Sequence, residues 1–212
     1  MPRRSAADAA RTRTAILDRS VAVASVEGLE GLTIGRLAGD LEMSKAGVLG
    51  HFGTKEELQL AALKAARAVY RREVWERAQD APAGRARLLA IADAWLSYLA
   101  RDVFPGGCFV TAASCEFDDR PGRVRDAVAA MHGEWMAVLA GEARRAIADG
   151  DLPRGTVPED VAFTMNAIAM GVNQARHLAG DADAPARGWR AMRALLGAPR
   201  ARRRLAPAPA KA

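Results

Sequence analysis

The chain has 212 residues, 50% of them apolar and 26% charged, with a formal net charge of +6. That is enough for one large domain or two small ones around a sizeable core, and it excludes a chain disordered throughout. No apolar run approaches the ~20 residues of a membrane span, and the two cysteines, Cys108 and Cys115, exclude a disulfide scaffold and fit a reducing cytoplasm.

Composition also sets the fold class. Forty-eight alanines stand against few Val, Ile, Thr and aromatic residues, which predicts helices rather than sheets and hence an all-α chain. The opening Met1-Pro2-Arg3-Arg4-Ser5 is basic but leads into no apolar stretch, so no secretory signal is expected. The positive charge is uneven: from Arg187 onward there are eight basic and no acidic residues, leaving 23 basic against 25 acidic before it. Basicity therefore gives no argument for nucleic acid by itself, and motif geometry has to supply one.

In chain order, residues 1–12 read as a flexible polar arm. Arg3, Arg4, Arg11 and the adjoining Arg13 either track DNA phosphate or a minor groove, or belong to a frayed terminus. From Arg13 to Val26, Ile16, Ser20, Val23 and Ala24 share one helical face, and Gly28 marks a left-handed stop. Thr33 caps a second helix with Ile34, Leu37, Ala38 and Leu41 at i, i+3, i+4 and i+7. Ser44 caps a third, short helix to about His51, broken by Gly53. Thr54-Lys55-Glu56-Glu57 is a capping box that opens a linking helix over 55–79. Further helices are expected over 85–101, from Cys108 to Phe117, over 123–149, from Pro158 through about Leu178, and from Pro185 to Leu196. Residues 199–212 form a basic tail, rich in Arg, Ala and Pro and expected to be disordered. The domains are thus 13–54 and a larger helical one over 55–198.

The second and third helices form a helix-turn-helix. The third is too short and glycine-bearing to stand alone in water. Met43, Val48, Leu49 and Phe52 are available to anchor it, leaving Lys45, Ala46, Gly47, Gly50 and His51 as a small, cationic face suited to a major groove. Thr33, Ser44 and Thr54 are caps by default, and the helix starts at Thr33 and Thr54 also suit phosphate. Arg36 joins the candidates for contact with DNA. Lys55, in a first turn where the dipole disfavours a cation, suggests a partner outside the protein.

Residues 13–64 resemble the DNA-binding domain of the tetracycline-repressor (TetR/AcrR-type) family of bacterial transcription regulators. The stretch Thr33 to Leu58 carries the likeness, with Phe52, Lys55, Glu56, Glu57 and Leu58 matching the pattern and His51 at a position often His or Tyr. Leu49 departs, since a phosphate-binding Tyr is usual there, and Gly50 replaces a bulkier residue. The resemblance implies a homodimer, with a C-terminal domain that binds a small effector and last two helices that pair into a four-helix interface. Effector binding would respace the DNA-binding heads and release a palindromic operator. The segment Gly106-Gly107-Cys108-Phe109, with Glu116 and Pro121-Gly122, resembles one C-terminal subtype.

Candidates for an apolar effector pocket are Trp75, Trp95, Tyr98, Phe109, Met131, Trp135, Phe163 and Met170, with Glu116, Asn166 and His132 as polar handles. Each is also an ordinary core candidate. On the implied dimer helices, Val161, Met165, Ile168, Val172, Trp189, Met192 and Leu196 are interface candidates. His51, His132 and His177 share no ligand spacing, so neither a metal nor a cofactor is expected. No catalytic motif is present, so no catalytic residue is assigned. The leading reading is a DNA-binding regulator, a repressor released by a small effector. It would be cytoplasmic, bound to double-stranded operator DNA and to no membrane. The alternatives are a helical interaction module without sequence-specific DNA binding, and a helical enzyme.

Overall fold

The computed structural model describes residues 6–197. Arg3 and Arg4 of the expected arm and the basic tail over 199–212 lie outside the described residues. The described residues form helices and turns without a strand. We number the helices α1 (Ala6–Gly31), α2 (Ile34–Asp40), α3 (Lys45–Phe52), α4 (Lys55–Tyr70, continued through a π-turn over Arg71–Trp75 to Glu76–Ala78), α5 (Arg85–Ala100), α6 (Phe109–Phe117), α7 (Arg123–Ala148), α8 (Pro158–Ala179) and α9 (Ala184–Leu195).

Residues 6–12 are helical rather than a loose arm. Four alanines favour the helix, Arg11 pairs with Asp8, and the Thr12 hydroxyl donates to the Asp8 carbonyl at 2.9 Å. At its other end α1 kinks at Gly28, whose φ of 78° and ψ of 167° break the helix before its last turn. Ile16, Val23, Ala24, Leu29 and Leu32 of this first segment pack with Leu37 and Ala38 of α2, Val48 and Phe52 of α3 and Leu58 of α4, forming the core of a small head.

The larger body is built on α5, which contacts α4, α7, α8 and α9. Leu88, Ile91, Leu99, Leu139, Met165 and Met192 are fully buried there. The buried Arg85 closes one end. Its guanidinium donates to the carbonyls of Leu196 (2.8 Å) and Gly197, the C-terminal groups that α9 leaves unpaired.

This packing corrects the expected dimer surface. Val161, Met165, Val172, Met192 and Leu196 are buried inside the chain itself, and Ile168 and Trp189 are half-buried against the same core. The regular apolar positions of α8 and α9 serve their own protomer. The outward face of α8 instead carries Phe163 (68% exposed) and Leu178 (80% exposed), with exposed Ala167, Gly171 and Gln174 between them. Among the described residues no helix is long and apolar enough to cross a membrane.

Candidate functional site

The helix-turn-helix is held by local caps and by two arginines from outside it, Arg13 and Arg123. The side chains of Thr33, Ser44 and Thr54 accept from the backbone N–H groups of Arg36, Gly47 and Glu57 at 3.0–3.1 Å, so all three expected caps form. The reciprocal half of the capping box does not appear: the Glu56 and Glu57 carboxylates accept from Arg123 at the start of α7, at 3.0 and 2.7 Å. Val48 and Phe52 anchor α3. Arg13, an arm candidate from the sequence, lies 4.2 Å over the Phe52 ring and donates to the His51 carbonyl at 2.6 Å, pinning the end of α3 to α1.

The exposed part of α3 is Lys45, Ala46, Leu49 and Gly50, with Gly47 and His51 half-buried. Nothing stands within 4 Å of where a Gly50 side chain would begin, so that face is open. The Lys45 stem lies across Gly35 of α2, about 3.5 Å from where a side chain there would begin. Two of the expected DNA contacts also pair within the chain. Arg36 pairs with Asp40 (2.9 Å) and Glu27 (2.8 Å), and Asp40 also binds Arg19 (2.7 Å). These guanidinium groups hold the Asp40 carboxyl below its usual range. Lys55 donates to the Glu30 carbonyl at 2.9 Å and pairs with its carboxylate at 3.1 Å, so this lysine has its partner inside the chain.

Glu116 is not in the pocket. From the end of α6 its carboxylate accepts from the Leu29 and Glu30 N–H groups at 2.7 and 2.8 Å. It lies over Gly28, where any side chain would begin 2.8 Å from it. The buried Gln59 adds a bond to the Leu29 carbonyl at 2.8 Å. Nearby, the turn before α6 meets α1 and α8. A side chain on Gly106 would start 1.7 Å from the Ser25 carbonyl oxygen, and the Cys108 N–H donates to Asn173 at 2.8 Å.

The opposite face of α6 lines a cavity of about 240 Å³ between α4, α5, α7 and α8. Trp75, Trp95, Met131, Trp135 and Asn166, all pocket candidates, line it, with His132. Met170 lines an adjoining space that shares Val110, Thr111, His132 and Asn166. Tyr98 and Phe109 are buried core beside it, Tyr98 edge-on to Tyr70 at 5.5 Å and Phe109 against Phe104 at 6.0 Å. Phe163 points outward. Sequence reading missed Tyr70, Arg71 and Cys108. Tyr70 and Trp75 would stand ~140° apart on an α-helix; the wider π-turn brings both to the cavity. Both cysteines are free, Cys108 buried in the wall and Cys115 exposed. Among the described residues no group of three His, Cys, Asp or Glu is arranged to hold a metal ion.

Comparison with known proteins agrees with this layout. The family model for bacterial regulatory proteins of the tetR family matches residues 16–62, and that for the tetracyclin repressor-like C-terminal domain matches residues 84–192. A TetR transcriptional regulator from Chloroflexus aurantiacus is 23% identical, with a TM-score of 0.81 over 90% of this chain and 94% of that one. A cysteine mutant of the TetR family transcriptional regulator CifR, complexed with 26-bp double-strand operator DNA, is 28% identical, with a TM-score of 0.74 over 92% and 98%. AibR in complex with isovaleryl coenzyme A and operator DNA is 22% identical, with a TM-score of 0.66 over 76% and 85%. A search of curated protein sequences gave no match.

Proposed function

The chain belongs to the TetR family of bacterial regulatory proteins, and from that premise we propose that it is a cytoplasmic, effector-responsive repressor that binds a palindromic operator as a homodimer. It acts by binding rather than by catalysis. The observation that carries this is the presentation of α3. A short helix is anchored by Val48 and Phe52 and clamped by Arg13, and it turns Lys45, Ala46, Leu49 and Gly50 outward, with Gly47 and His51 half-buried beside them. A relative at 28% identity is solved on operator DNA, which supports the same role for this unit.

In this reading the α3 face enters the major groove, and the helix starts at Thr33, Ser44 and Thr54 lie against phosphate. Arg36 and Lys55 brace the head. The cavity behind α6 receives the effector, and two copies pair through the outward face of α8.

Fluorescence anisotropy with labelled DNA from the protein's own upstream region tests it. Binding is expected at about nanomolar Kd, weakening steeply with salt. Lys45→Ala with His51→Ala should cost at least about tenfold in affinity and leave the oligomeric state unchanged. Unaltered affinity in that double variant would overturn the assignment of α3.

A further inference from the structure

Leu49 is the one large apolar side chain of α3 left in the open. It is 38% exposed, whereas Val48 and Phe52 on the same helix are buried in the head. A lone exposed leucine on an ordinary surface needs no explanation. This one stands on the face assigned to the major groove, and its isobutyl group neither donates nor accepts a hydrogen bond.

At 100° per residue, Lys45, Leu49, Ala46 and Gly50 follow one another over ~140° of the circumference of α3, and Gly50 stands ~160° from both Val48 and Phe52. The outermost line of the helix is therefore Gly50 and Ala46, with Leu49 beside them. The fold does not call for a glycine at position 50. Its backbone is helical, nothing lies within 4 Å of where a side chain would begin, and glycine weakens a helix. An open glycine there lets another surface come against the backbone, which brings the Leu49 side chain down onto that surface.

The polar groups of α3 and its cap are directed elsewhere. Lys45, at the edge of the arc, runs back over Gly35 of α2, its ammonium 3.8 Å from where a side chain there would begin. The Ser44 hydroxyl accepts from the Gly47 N–H. His51 lines a notch with Arg13, Glu57 and Lys64 between α1 and α4. The face holds no carboxamide, carboxylate or guanidinium, the groups that read adenine, cytosine and guanine edges by hydrogen bonds. What it offers at its centre is carbon, and the methyl group displayed in the major groove is the 5-methyl of thymine.

We propose that Leu49 is a specificity-determining residue of α3. With the Ala46 methyl beside it, it recognises thymine through the 5-methyl group, so each half-site carries a thymine read by apolar contact rather than by hydrogen bonds. This rests on the placement of α3 in the major groove and specifies what the helix reads there.

Duplexes that the full chain enriches from a random-sequence library supply the site, and fluorescence anisotropy then compares single-base analogues within it. Deoxyuridine in place of the thymine removes only the methyl. It should cost about three- to fivefold in one half-site and about tenfold or more in both. Cytosine at the same position should cost at least as much, and 5-methylcytosine should recover affinity to within about twofold of thymine, because the methyl and not the pairing edge is read. Leu49→Ala should bind the thymine and deoxyuridine duplexes alike, within about twofold. Each comparison is a ratio within one protein preparation, so a loss of stability in the variant does not move it. Tolerance of deoxyuridine at every thymine of the enriched site would overturn the proposal. So would a methyl effect that Leu49→Ala leaves unchanged, or methylation of cytosine without gain. The premise fails separately: if the full chain enriches no sequence, α3 is not the reading helix and the role of Leu49 falls with it, whereas an enriched site with silent methyls removes the role of Leu49 alone.

Discussion

Lys55 shows how one side chain decides between an external and an internal partner. At the start of α4 the dipole disfavours a cation, which is why the sequence suggested phosphate. Within the chain Lys55 meets Glu30, through both its carbonyl and its carboxylate. Hydrogen bonds from Lys55, then from Gln59, hold the Glu30 carboxyl below its ordinary 4.5. A carboxylate with a lowered folded pKa contributes stability above its unfolded value and loses it as pH falls through the folded one. The pair is 40% and 46% exposed, so solvent screening limits it to about 0–1 kcal/mol. Glu30→Gln should therefore lower the unfolding free energy by less than about 1 kcal/mol at pH 7. The difference should close as the medium is acidified below 4.5, as read by urea melts across that range. At the operator, Lys45→Gln should reduce the slope of log affinity against log salt by about one, whereas Lys55→Gln should leave it unchanged. A slope that falls with Lys55 would return that lysine to the DNA surface.

At the scale of the element, α6 joins head to body. One face meets the cavity through Val110 and Thr111 and the adjoining space through Ser114, and its end places Glu116 on the kinked terminus of α1. The two N–H groups it receives are left free by the break at Gly28, and a carboxylate is the acceptor best suited to them. Glu116→Ala should cost about 1–3 kcal/mol and speed amide exchange at Leu29 and Glu30, leaving the α8 amides protected. Unchanged exchange at those two amides would remove the latch. The pattern of success follows from range. The caps of α2, α3 and α4 and the apolar faces of α1 and α2 were legible because each is decided within four residues. Glu116 was not, since its partners lie 86 and 87 residues away. Nor was Arg13, whose position over Phe52 depends on how α1 crosses α3. Tyr70 was hidden by the π-turn, which shifts the face after it.

For the whole molecule, the open question is which face meets a second copy. A helix with apolar residues on two sides does not say from its own sequence which side is core, and α8 is such a helix. Its regular stripe through Val161, Met165, Ala169 and Val172 is consumed inside the protomer. Phe163 and Leu178, with Ala167, Gly171 and Gln174 between them, run about 22 Å along the other side. Small residues between large ones let two such helices approach closely, and an exposed apolar stripe of this length marks an interface. We therefore expect the wild-type chain to sediment as a dimer at micromolar concentration. Phe163→Glu combined with Leu178→Glu should convert it to a monomer with an unchanged circular dichroism spectrum, because neither side chain supports the core of its own protomer. The operator provides the second readout. Two linked heads reach a palindrome with the effective concentration that linkage confers, so the monomer should lose about 10²-fold or more in operator affinity although every α3 side chain is intact. A double variant that still sediments as a dimer would move the interface off this face of α8. A monomer that binds the palindrome as tightly as the dimer would remove the need for paired heads.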